Sequence, residues 1–93
     1  MQVAKQEYFE LIDRFIQTAN GLKDEGKDIN LIANALMEAS VIYATFVATG
    51  NKGYLNDSGV SKLVGAYRHV ANRVQKSRKE SAENARTKEA SET

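Results

Sequence analysis

The stretch that decides the fold is Asp28–Thr49, DINLIANALMEASVIYATFVAT. On a helical period it is apolar almost all the way round. Ile29, Leu31, Ile32, Leu36, Met37, Val41, Ile42, Tyr43, Phe46 and Val47 cover most directions, and Asn30, Asn34, Glu38 and Thr45 leave a narrow polar strip. A helix of this kind needs partners on nearly every side. Asp28 is its natural N-cap. No breaker follows until Gly50, so the helix spans about 20 residues or 30 Å.

Upstream, Tyr8, Phe9, Ile12, Phe15, Ile16, Ala19 and Leu22 recur at i, i+3, i+4 and i+7. That spacing predicts an amphipathic helix over about residues 3–22, widened by Leu11. Its acidic residues fall early, which suits the positive end of the helix dipole. Asn20-Gly21 and Asp24-Glu25-Gly26 supply stop signals. Downstream, Gly50–Gly53 ends the central helix, and Tyr54 and Leu55 are expected to fold back over a helix end. Asn56, Asp57 and Ser58 are three candidate caps for a third helix over about 58–79. Its stripe, Val60, Leu63, Val64, Tyr67, Val70, Ala71 and Val74, holds an a/d/e heptad pattern for two heptads. Ser77–Thr93 has fair helix formers and no large apolar residue, so the helix is expected to fray past Lys79. Residues 80–93 then read as a disordered charged tail.

The totals agree with one soluble helical domain over residues 1–79. The chain has 93 residues, 42% hydrophobic and 27% charged, with no proline and a net charge of +1. Absence of cysteine excludes disulfides, thiolate metal sites and a cysteine nucleophile. MQVAKQEYFELIDRF lacks the features of a secretory signal. The uncharged run Ala39–Gly50 falls short of the roughly 20 apolar residues of a membrane span. Asn30, Asn34 and Glu38 would also be costly in hydrocarbon. The expectation is a cytoplasmic protein with no membrane partner.

Two amphipathic helices cover only part of the circumference of a third, and a small protein has a poor surface-to-volume ratio. The sequence therefore predicts an all-α, three-helix bundle-like protomer that assembles as a helical-bundle dimer. Leu36, Ala39, Tyr43, Phe46 and Val47 are the expected interface, with alanines permitting close approach. A monomer whose outer helices and Tyr54-Leu55 loop suffice is the alternative.

Charge is unevenly placed. Residues 1–57 carry five basic and eight acidic side chains, whereas Ser58–Lys79 carries six basic and none acidic. Arg68, Asn72, Arg73 and Lys76 form a candidate polyanion-binding set, able to neutralise phosphates and reach base edges. The plainer reading is a solvated face that meets Glu7, Glu10 and Asp13 of the first helix. The long connection before the third helix disfavours a helix-turn-helix DNA reader.

His69 is the single histidine, without an acidic residue one helical turn away, and reads as a surface residue. Glu38, one turn from Asn34, reads as a paired or exposed carboxylate, with a small-molecule site near Glu38 and Tyr43 as a weaker alternative. No phosphate loop, nucleophile elbow, zinc motif or calcium loop occurs. The sequence suggests no cofactor, metal or catalytic residue, and no enzyme.

Phe15-x-x-x-Ala19-Asn20, followed by Ala35-Leu36-Met37-x-Ala39-Ser40-x-x-Tyr43-x-x-Phe46-Val47, resembles a small family of uncharacterised all-helical bacterial proteins, mainly proteobacterial. The match spans roughly Tyr8–Ala48. Ile42 and Ala44 stand where the family usually carries an Arg and an Asn, and the basic third helix departs from its more acidic C-terminal parts. The resemblance implies a bacterial, cytosolic, helical protein and no activity. The functional expectation is a non-enzymatic module for oligomerisation or for binding another protein. A nucleic-acid-binding accessory protein is the alternative.

Overall fold

A computed structural model of the chain describes the backbone of residues 2–92 and the side chains of residues 4–88. Three α-helices follow in order and no strand occurs among the described residues: α1 (Gln2–Asp24), α2 (Ile29–Thr49) and α3 (Asp57–Glu92). The all-α, three-helix expectation holds.

Local chemistry explains each boundary. α1 passes straight through Asn20-Gly21 and ends two residues later than the sequence reading, at a Schellman turn. Gly26 sits at φ 93°, the Gly26 amide donates to the Lys23 carbonyl at 2.9 Å, and the Lys27 amide donates to the Leu22 carbonyl at 3.1 Å. Because α1 begins at Gln2, Glu7 and Glu10 lie beyond its first turn, which holds no acidic residue. Their effect on the dipole is correspondingly small. α2 starts where the Asp28 carboxylate accepts from the Leu31 amide at 3.0 Å. It ends at Gly50, whose φ is 81° and whose amide donates to the Phe46 carbonyl at 2.7 Å. Of the three candidate caps for α3, Asn56 serves: its side chain accepts from the Gly59 amide at 2.8 Å. Leu55, one residue earlier, is half-buried over Gly59, in the place of a hydrophobic staple. Tyr54 does not fold back; it is 85% exposed.

One further expectation differs from the structure. α3 continues past Lys79 to Glu92 rather than fraying, because Ala, Glu, Lys and Arg favour the helix even with nothing to bury. The chain divides into two compact units, Met1–Gly53 and Tyr54–Thr93. The division falls directly after the glycine-bounded loop Gly50–Gly53. That loop is tight: a Cβ on Gly53 would overlap the Thr49 side chain and lie 2.6 Å from the Thr49 carbonyl oxygen.

In the first unit, α1 and α2 touch beside their short turn. Ala19 and Ile32 are half-buried there. Among the described residues no side chain in either unit is fully buried. The apolar stripes exist as read, but the single chain does not cover them.

Candidate assembly surface

The surface begins with α2. Its polar strip is less polar than its composition. The Ser40 hydroxyl donates to the Met37 carbonyl at 2.7 Å, Thr45 to Val41 at 2.8 Å and Thr49 to Thr45 at 2.8 Å. Hydroxyls satisfied within their own helix ask little of a neighbour. What remains polar is Asn30, Asn34 and Glu38, all exposed on one side.

On the opposite side lies a continuous seam. Ile29, Ile32, Leu36, Ala39, Tyr43 and Phe46 step by alternating threes and fours, the spacing of paired helices. Leu36 is 40% exposed and Tyr43 68%. The Tyr43 and Phe46 rings are neighbours, with centroids 6.0 Å apart. The five residues expected as an interface are all exposed. Four of them, Leu36, Ala39, Tyr43 and Phe46, lie on the seam, with Val47 at its border. Sequence reading missed Ile29 and Ile32 as members; the three-four alternation was the signal that reveals them.

α1 carries the matching seam. Counted outward from the turn, Leu22, Ala19, Phe15, Ile12 and Tyr8 step three, four, three, four. Ile29, Ile32, Leu36, Ala39 and Tyr43 step identically in the other direction. Two helices joined by a short turn can thus meet layer on layer. Beyond Ala19 and Ile32 the layers stay open, with Phe15 64% exposed.

The second unit holds the other candidate set. α3 is continuous through Arg68, Asn72, Arg73 and Lys76, so Asn72 and Lys76 lie opposite Tyr67, Val70 and Val74 while Arg68 and Arg73 lie beside that stripe, and all four are exposed. His69 and Glu38 are also exposed. Among the described residues no group of three or more His, Cys, Asp or Glu side chains is placed to hold a metal. The depression along α1 beside Gln6, Glu7, Glu10 and Arg14 is open and one helix wide.

By length and composition α2 is also able to cross a membrane. It has 21 residues, and its most apolar 18-residue window has a mean hydropathy of 1.6. The expectation from sequence set against a span both the shortness of the uncharged run after Glu38 and the cost of Asn30, Asn34 and Glu38 in hydrocarbon; by length and hydropathy the whole helix meets the requirement, with Glu38 as its one Asp, Glu, Lys or Arg. Against family models, curated proteins and solved structures, the chain finds no match.

Proposed function

We propose that the protein is a non-enzymatic assembly module, a helical chain that works by joining its apolar faces to a second copy of itself. One observation carries this: every helix presents an apolar stripe, yet no described residue is buried. Phe15, Tyr43 and Val47 are each more than 60% exposed. Contiguous apolar surface of that extent marks an interaction site. Covering it is worth about 25 cal/mol per Å², enough for a few large side chains to outweigh the cost of ordering two chains. Glu38, in the middle of α2, favours an aqueous assembly over a bilayer, where a carboxylate in the span is costly. The cytoplasm is the proposed compartment. The test is absolute mass by light scattering over a hundredfold range of concentration: a dimer supports the reading, and a monomer throughout removes it.

A second reading rests on α3. Six basic and no acidic residues between Ser58 and Lys79, all six exposed to solvent, suit a polyanion. Neutralising Arg68, Arg73 and Lys76 together tests it. Unchanged retention of DNA and RNA at low salt would remove nucleic acid as a partner.

A further inference from the structure

We infer that α3 lies along the surface of an anionic membrane, with its apolar stripe in the headgroup boundary and its basic side chains on the lipid phosphates. This rests on the polyanion reading above and deepens it by naming the polyanion, a bilayer rich in acidic lipid. The expectation of no membrane partner came from the lack of a signal and of a span. Neither bears on a helix that rests on the surface.

The placement of charge around α3 carries the inference. Val60, Val64, Tyr67, Val70 and Val74 form the stripe, each between 38% and 56% exposed. On the helical period, Arg68 stands about 100° to one side of the stripe's midline and Arg73 about 120° to the other. Lys79 repeats the side of Arg68, and Lys62 that of Arg73. Both borders are therefore basic, and no acidic residue interrupts them between Ser58 and Lys79. A helix resting on a bilayer has this cross-section. Its apolar residues point down, and long cationic side chains at both edges reach back to the phosphates.

Charge and area together choose the occupant. A nucleic acid would pair with the cations and leave the stripe in water, whereas a lipid surface takes both. A second α3 would set basic borders against basic borders, which is repulsive. Taking roughly 150–200 Å² for a large side chain, the exposed stripe comes to about 400 Å². A standard dimer needs about 800 Å² from each partner. An apolar contact too small to anchor by itself is enough beside a basic cluster, since the two attractions add. The cytoplasmic leaflet carries acidic lipid, which fits the compartment proposed above. Assembly through α1 and α2, in the other unit, is compatible with this.

The test uses the full chain, sedimented with vesicles of phosphatidylcholine alone or of an equal mixture with phosphatidylglycerol. Retention of DNA and RNA at low salt is measured beside it. Binding to the mixed vesicles is expected to be roughly tenfold tighter or more, and to weaken as salt is raised. Arg68→Gln with Arg73→Gln weakens it roughly thirtyfold. Val70→Glu, on the stripe, weakens it by roughly tenfold or more. The chain has no tryptophan, so a single introduced one reports depth. Fluorescence of Tyr67→Trp is quenched by lipids brominated on their acyl chains, and that of Asn72→Trp, on the opposite side, is not. Retention of nucleic acid without vesicle binding would overturn the inference and keep the polyanion reading, whereas binding of neither removes both. Equal binding to the two vesicle types overturns the inference as well. So does binding that leaves Tyr67→Trp unquenched, because charge alone or another part of the chain would then hold the lipid. Should Val70→Glu cost α3 its helicity by circular dichroism, the quenching decides.

Discussion

The Asp28 carboxylate accepts a hydrogen bond from the Leu31 amide at 3.0 Å, closing the first turn of α2. The bond satisfies one of the donors that a helix start leaves unpaired. Asp28→Ala is expected to lower stability by about 1 kcal/mol, and Asp28→Asn to keep most of it. Urea unfolding followed by circular dichroism checks the pair. Equal losses for Ala and Asn would mean that the side-chain oxygen is not what holds the turn.

Gly26 and Gly21 are five residues apart and should respond oppositely to alanine. Gly26 lies at φ 93°, where an L side chain is strained although space around it is open. Gly26→Ala is expected to cost about 1 kcal/mol. Gly21 lies within α1 with nothing within 4 Å of an added Cβ, so Gly21→Ala is expected to gain about 0.5–1 kcal/mol. Thermal melts of the two variants test whether α1 ends at the Schellman turn. If Gly21→Ala destabilised the chain, the helix would be ending at the earlier glycine.

The limits of α2 were legible because its signals are chemically redundant. A capping aspartate, an unbroken apolar run and a glycine all agree on 29–49. The end of α1 was less legible because Asn20-Gly21 and Gly26 are both valid stops. Only the hydrogen bonds of Gly26 and Lys27 decide between them. The end of α3 was misread because apolar residues stop at Val74 while helix propensity does not. Of the assembly surface, the α2 half was readable from Leu36, Ala39, Tyr43 and Phe46. Its match to Tyr8–Leu22 was not, since a seam shows that something covers it without saying what. That match emerges once the turn between Asp24 and Ile29 sets the two seams on a common count.

The distal part of α3 and the middle of α2 are helical for different reasons, and glycine separates them. Ala85 lies among Ser81–Lys88, where no large apolar residue occurs. Ala85→Gly should lower helicity locally, by about 1 kcal/mol of propensity, and leave the cooperative melting midpoint unchanged. Ala39→Gly carries the same propensity cost at a seam position and should lower that midpoint by about 4–8 °C. Circular dichroism melts distinguish them. A lowered midpoint for Ala85→Gly would place the distal helix inside the cooperative core.

Glu38 separates an assembly helix from a membrane helix. The rest of Ile29–Thr49 has no Asp, Glu, Lys or Arg, and Ser40, Thr45 and Thr49 bond back onto their own helix, so this carboxylate is the main charge opposing insertion. A carboxylate at the centre of a span costs about 2.5–3.5 kcal/mol on insertion scales. In Triton X-114 phase partition, the unaltered chain is expected in the aqueous phase. Glu38→Leu removes that cost and should move a measurable share into the detergent phase, while Glu38→Gln should move less. If the unaltered chain entered the detergent phase quantitatively, α2 would be meeting lipid rather than a second copy. The seam of Leu36 and Tyr43 would then be facing acyl chains.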